Sequence, residues 1–279
     1  VKKLIILSFL FSSCILSLNA QWGDVSKKEL DKLKNSTMLV VLKGEESFIS
    51  SLKKAIEDNW TFTKFEFVTE SEVQKKFVNK EEVFLFGYFT GDFSSYKYTL
   101  KEMPVIGIAE RYLTKGKYKI QGDIKICYPY PFEGIESQYL DAYLKVYVQL
   151  LNNYLELLNA PDSKVKSMYA YYIQVKTRNK LCRDKKLLIC EEDNYLTDDV
   201  IKSIYKGDYE IVKRERINKA ILNREDVLIY YLIPSVYYSY YTIFSASDVS
   251  VYFNNFGITG EREYKVAQKR FLKELNNAE

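Results

Sequence analysis

A chain of 279 residues that is 47% hydrophobic and 28% charged can fill one large or two ordinary globular cores. Its net charge of +4 falls to +2 once Lys2 and Lys3 of the amino-terminal leader are set aside, too little to draw nucleic acid or an anionic membrane. Histidine is absent, which removes the commonest general base, metal ligand and pH switch together.

Residues 1–20 read as a secretory signal peptide. Lys2-Lys3 supply the positive region, Leu4 to Leu18 the apolar stretch, and Leu18-Asn19-Ala20 the small residue before the cut. The mature chain then starts at Gln21. The apolar run is shorter than the about 20 residues a spanning helix needs, so no transmembrane segment is expected in the mature chain. The expected location is periplasmic or secreted. The alternative is a lipid anchor at Cys14, which follows Phe11-Ser12-Ser13.

Ser26 to Asn35 reads as a short charged helix with Leu30 and Leu33 on its apolar side. Met38 to Leu42 is a continuous apolar run, the pattern of a strand buried on both faces. Phe48, Ile49, Leu52 and Ile56 recur at helical spacing over Glu45 to Asn59. Thr63 to Phe67 alternates, as a half-wet strand does. Ser71 is placed to cap a short helix through Val78, and Val83 to Phe89 is a further strand. A returning strand is expected at Tyr96 to Leu100. Pro104 suits only a strand start or edge, which points to a separate strand from Val105 to Ala109. A basic hairpin, Lys115 to Lys119, is read as a solvated turn. Ile124 to Pro131 is extended, and a long helix runs from Ser137 to Ala160, where Pro161 stops it.

After a joint at 162–184 the order begins again. Strands are expected at Leu187 to Cys190, Tyr209 to Val212, Val227 to Ile233, a tyrosine-rich return to Phe244, and Val249 to Phe253. Helices are expected at Thr197 to Tyr205, Arg216 to Leu222 and Glu261 to Asn277. The residues repeat too. Shifted by 144 positions, Phe65-Glu66-Phe67-Val68 lies on Tyr209-Glu210-Ile211-Val212, Val73 to Asn79 on Ile217 to Asn223, Val83 to Phe86 on Val227 to Tyr230, Ser95-Tyr96 on Ser239-Tyr240, and Gly116 on Gly260. About ten of some fifty aligned positions are identical.

The fold expected is α/β, with two similar lobes from an internal duplication. Each is a mixed, mainly parallel sheet with flanking helices joined by right-handed crossovers. The divisions are 1–20 signal peptide, 21–161 first lobe, 162–184 linker helix and 185–279 second lobe.

The leader, the Gln21 start and the lysine-, tyrosine- and asparagine-rich composition resemble exported proteins of Bacteroidetes bacteria. The strand–helix order of each lobe resembles small α/β domains of envelope proteins, such as the amino-terminal domain of the Tol–Pal propeller protein. The resemblance implies an envelope setting. Fold alone carries no function across.

In open α/β sheets ligands sit beyond the carboxyl ends of the parallel strands. In the first lobe that place is Lys43-Gly44-Glu45-Glu46, and in the second Cys190-Glu191-Glu192-Asp193. Glu191, Glu192 and Asp193 are candidate oxygen ligands for a hard cation. The favoured reading is that they cap the next helix. No metal or other cofactor is assigned. No glycine-rich phosphate loop, nucleophile elbow or triad is present. Cys127, Cys182 and Cys190 are an odd set without metal-ligand spacing and read as buried small apolar residues.

Tyr237, Tyr238, Tyr240 and Tyr241 are the candidate binding residues. In a hairpin Tyr238 and Tyr240 share one face, Tyr237 and Tyr241 the other. Tyrosine suits contact with an envelope protein or a glycan. The competing reading is that the rings cover the seam between lobes or a wet sheet face. The functional expectation is an exported, non-catalytic binding or structural protein of the bacterial envelope. The alternative is a carboxylate-based hydrolase with its cleft between the lobes.

Overall fold

The computed structural model describes residues 26–76, 83–93, 100–111, 124–129, 136–161, 163, 184–234, 238–258 and 261–276. In the first half the elements are α1 (Lys27–Asn35), β1 (Thr37–Leu42), α2 (Glu46–Asn59), β2 (Lys64–Thr69), α3 (Glu70–Lys76), β3 (Val83–Phe93), β4 (Leu100–Arg111), β5 (Ile124–Pro129) and α4 (Leu140–Asn159). In the second half they are β6 (Leu187–Cys190), α5 (Asp198–Ile204), β7 (Tyr209–Val212), α6 (Arg214–Leu222), β8 (Leu228–Pro234), β9 (Tyr238–Ser245), β10 (Val251–Ile258) and α7 (Glu261–Asn276).

Among the described residues two five-stranded sheets form, ordered β2-β1-β3-β4-β5 and β7-β6-β8-β9-β10. In each, the first strand runs parallel to the second and third, the fourth runs antiparallel to the third, and the fifth runs antiparallel to the fourth. Each sheet is therefore mixed, with two parallel and two antiparallel ladders and four of its five strands pointing the same way, because the chain crosses over a helix twice and then turns back as hairpins. The registers also correspond. Val40 pairs with Phe67 and Phe86, while Ile189 pairs with Ile211 and Tyr230. A bulge falls at Ile108/Ala109 opposite Ile126 and Ile124, and at Ile243/Phe244 opposite Phe253 and Val251. Ala109 and Phe244 hold equivalent positions in these ladders, a separation of 135. The ungapped 144-residue shift thus describes β2 with β7 and β3 with β8, whereas the equivalent positions of β1 and β6, Val40 and Ile189, stand 149 apart and those of β4 and β9 stand 135 apart. Gly116 and Gly260 lie outside the described residues.

Local chemistry sets several boundaries. Ser26 and Glu29 form a reciprocal capping box at α1. At α3 the cap is Thr69, two residues earlier than the expected Ser71. Thr69 Oγ1 accepts from Glu72 N at 3.3 Å, and Glu72 Oε2 accepts from Thr69 N at 2.7 Å. Gly44 turns the chain between β1 and α2 at φ 122, a conformation open to glycine. Pro104 lies inside one continuous β4 rather than at the start of a separate strand. Its neighbour Val105, paired with Pro129, ends the described β4–β5 ladder, so on that side Pro104 has no ladder bond to break. The expected strand at 96–99, the hairpin at 115–119 and the linker helix at 164–183 lie outside the described residues.

Among the described residues the chain gathers into two compact units. One draws on residues up to Glu45, 61–130 and 155–169. The other draws on 46–60, 131–154 and 170 onward. In the first, α3 covers one sheet face through Val73, against Leu39, Val68 and Leu85. Met38, Val40, Phe84, Phe86 and Ile108 are buried on the opposite face. Thr63 Oγ1 donates to the carbonyls that end α1, at 3.0 Å to Leu33 and 2.7 Å to Ser36, which fixes the entry to β2.

In the second unit α5 and α7 cover one face of the sheet. Ile201, Tyr205, Phe271 and Leu272 pack on Leu187, Ile189, Leu228, Tyr230 and Ile243. Gly207 lets the Tyr205 ring lie against the backbone, since a Cβ there would stand 2.5 Å from the phenol oxygen. On the other face Tyr231 meets Phe244 and the Tyr143 ring of α4 edge-on, at 5.9 and 5.7 Å. Tyr143 sits on the part of α4 that belongs to this unit, as does α2. No helix among the described residues is long and apolar enough to cross a membrane.

Candidate functional site

The acidic run after β6 forms a short 3-10 turn, Glu191–Asp193. Asp193 is bound at 3.0 Å by the guanidinium of Arg214, the first residue of α6. Arg214 also donates to Tyr143 Oη at 2.7 Å. Glu192 accepts from the Cys190 thiol at 2.8 Å and, at 3.4 Å, from the backbone N–H of Arg214. The acids therefore do favour a helix N-terminus, but that of α6, two elements away, rather than that of the next helix. Burial pushes the Asp193 carboxyl above its ordinary value, and the Arg214 charge works against that rise. Burial likewise pushes the Cys190 thiol well up, so it stays protonated as a donor to Glu192. Glu191 is exposed. No group of three or more metal-ligating side chains forms among the described residues.

The tyrosine strand is placed at the register level only. Tyr240 on β9 pairs with Ile233 of β8 and Phe256 of β10, and Tyr241 with Leu232 and Asn255. β9 is thus an interior strand. Tyr237 and the side chains of Tyr238, Tyr240 and Tyr241 lie outside the described residues.

The second unit holds a cleft of about 150 Å³ that was not anticipated. Three helices build it. Ser51, Lys54, Ala55, Asp58 and Asn59 form one stripe of α2 at spacings of three and four, next to the apolar stripe of Phe48, Leu52 and Ile56. Asp141 and Lys145, four apart, come from α4. Leu222 and Arg224 come from the end of α6.

The groups inside are unevenly satisfied. Asp141 accepts from Ser51 Oγ at 2.5 Å and from Lys54 Nζ at 3.1 Å. The Ser51 hydrogen bond holds its carboxyl below the ordinary range, against burial and with help from Lys54. Lys145 is 7% exposed, and its ammonium donates at 2.5 Å to the Ile221 carbonyl, capping the negative end of α6. Asn59 is also 7% exposed. Its amide donates to Ala55 O, but its Oδ1 is buried without a hydrogen-bond partner among the described residues.

Arg224 follows the helix in the left-handed region at φ 54, with bonds from Arg224 N to Ile221 O and Glu225 N to Ala220 O. This is the position that closes a helix in a Schellman motif, where glycine is the usual residue. Among the described residues the Arg224 guanidinium has no hydrogen-bond or ion-pair partner.

The Lys145 ammonium is pushed down to about 8, first by burial, then by Arg224, with Asp58 opposing and Lys54 adding to the fall. An unfolded lysine keeps its proton to about pH 10.4. Between these values the unfolded chain holds a proton that the folded chain has released, so this group makes stability rise with pH. Relative to Lys145→Met, the wild-type chain should gain on the order of 2 kcal/mol between pH 8 and pH 10.5, after allowance for the open side of the cleft. Urea titrations of both proteins at the two pH values test it. A constant difference would place the lysine in ordinary water.

Two signals for the cleft stood in the sequence. The Leu140–Asn159 helix carries only Asp141, Lys145 and Glu156 as charges, so a lone cation there is conspicuous. The end of α6 reads Asn223-Arg224 where a glycine would be ordinary. No family model matches the chain, and neither a curated protein nor a solved structure matches it.

Proposed function

We propose that this chain is an exported, non-catalytic binding protein of the bacterial cell envelope, periplasmic or secreted, whose two lobes descend from one duplicated α/β unit. The common strand order, the corresponding registers and the bulges at equivalent positions support the duplication. The leader supports export.

The observation that carries binding is the cleft of the second unit. It holds an exposed cation, Arg224, and a buried acceptor, Asn59 Oδ1, neither with a side-chain partner among the described residues. Buried polar groups are almost always satisfied, so an orphan beside a cleft is a place for a ligand. The strained backbone at Arg224 points the same way, since such strain collects at functional positions. A two-carboxylate hydrolase needs a protonated acid beside an ionised one. Here the Ser51 hydrogen bond holds the Asp141 carboxyl below its ordinary range, so Asp141 is not the protonated acid of such a pair.

Native mass spectrometry of the mature chain, after exposure to a low-molecular-weight envelope extract, should show a retained small molecule. Arg224→Gln should lose it. Bare-chain mass for both proteins would overturn the reading.

A further inference from the structure

Resting on that reading of the cleft, we infer that its ligand is a small α-amino acid, bound as the zwitterion. The lining offers two kinds of partner. Among the described residues Arg224, which is exposed, has no anionic partner, and Lys145 spends one of its three N–H donors on Ile221 O. These two suit a carboxylate, which an arginine fork holds in two places. Lys54 is already neutralised by Asp141. Opposite in character are Asp58, which lines the cleft, and the unfilled Asn59 Oδ1. Both are acceptors, and an ammonium satisfies both.

A plain anion such as phosphate would answer the cations but meet repulsion from Asp58. A plain amine would leave Arg224 unanswered. A zwitterion uses every group. Size narrows the choice further. Clefts for drug-sized ligands run from about 300 Å³ upward, and this one is about 150 Å³, too small to enclose a nucleotide or an oligosaccharide. Ala55 and the half-exposed Leu222 line it as well, so the side chain of the ligand meets apolar atoms.

The test is calorimetric titration of the mature chain with L-alanine, L-serine, propionate, ethylamine and inorganic phosphate. The amino acids should bind at least tenfold more tightly than the other three. Arg224→Gly should lose at least tenfold in alanine affinity while its melting temperature rises, because glycine accepts the left-handed conformation that arginine strains to hold. That opposition separates binding from folding. Asn59→Leu should lose the preference for alanine over propionate.

Titration at pH 8.5 in buffers of different ionisation enthalpy should show proton uptake, since a carboxylate beside Lys145 restores the proton that burial displaces there. The facing charges that set this are Lys54 and Asp58 from α2, Asp141 from α4, and Arg224. Propionate or phosphate binding as tightly as alanine would overturn the ligand class and leave the binding reading standing. No heat from any of the five overturns the class as well. If native mass spectrometry then also finds only bare chain, the binding reading falls with it.

Discussion

Arg214→Ala is expected to destabilise the protein by about 3 kcal/mol at pH 7, near the low end of the cost of breaking a buried ion pair. The guanidinium is 19% exposed and the Asp193 carboxylate 13%, so neither can be handed to water without rearrangement. Removing the arginine strands Asp193 among Cys190, Tyr143 and Tyr231, and it also takes the donor from Tyr143 Oη. Removing both charges should be far milder. Arg214→Met with Asp193→Leu should lie within about 1 kcal/mol of wild type, because the desolvation cost of two ions goes with them.

The pH dependence follows from the direction of the Asp193 shift. Its folded-state value is raised by burial, and losing Arg214 raises it further. From the ordinary carboxyl value up to the raised one, the folded chain holds a proton that the unfolded chain has lost. Stability of the single variant therefore falls as pH rises through that window. Urea titrations should show a smaller deficit against wild type at pH 4 than at pH 7. An equal deficit at both would mean the loss is packing by the arginine stem rather than stranded charge.

Element order was legible because it is written locally. The run Met38 to Leu42 and the run Leu187 to Cys190 have no polar residue, and each became the parallel strand beside which two others lie. The helical spacing of Phe48, Leu52 and Ile56 became the buried stripe of α2. The first turn of α3 shows where local reading stops. Thr69 and Ser71 are both capping residues, and only the reach of Glu72 back to Thr69 decides between them.

The cleft was illegible for a different reason. Ser51 and Asp141 stand 90 positions apart, and Lys145 and Ile221 stand 76 apart. Nothing in either segment states that α2, α4 and α6 will meet. The Asp193–Arg214 pair is hidden in the same way, since the strand β7 lies between its members in the chain. What sequence periodicity does reveal is which face of a helix is polar. Which polar face receives a neighbour depends on tertiary packing.

The equivalence of the two sheets can be tested by energetics at its centre. Phe86 on β3 and Tyr230 on β8 occupy the same ladder position, beside Val40 and Ile189, and both are 0% exposed. Phe86→Ala and Tyr230→Ala should each cost about 3–5 kcal/mol, the range for emptying a buried aromatic site. The Tyr230 ring meets Phe271 edge-on at 5.4 Å, so its loss also unseats α7. Tyr230→Leu keeps part of the volume and should cost roughly half as much.

The same helix supplies a control. Val266 is 64% exposed, and Val266→Ala should change stability by no more than about 0.5 kcal/mol. Denaturant midpoints for the four variants decide the matter. A large loss at Tyr230 with a negligible one at Phe86 would mean that equal register does not bring equal burial, and the two lobes would then share a path of the chain without sharing a core. Matching losses at both positions, against silence at Val266, would locate the stability of each lobe on the strand that pairs parallel on one side and antiparallel on the other. That strand is the point where the crossover half of each sheet joins the hairpin half, and an emptied site there weakens both at once.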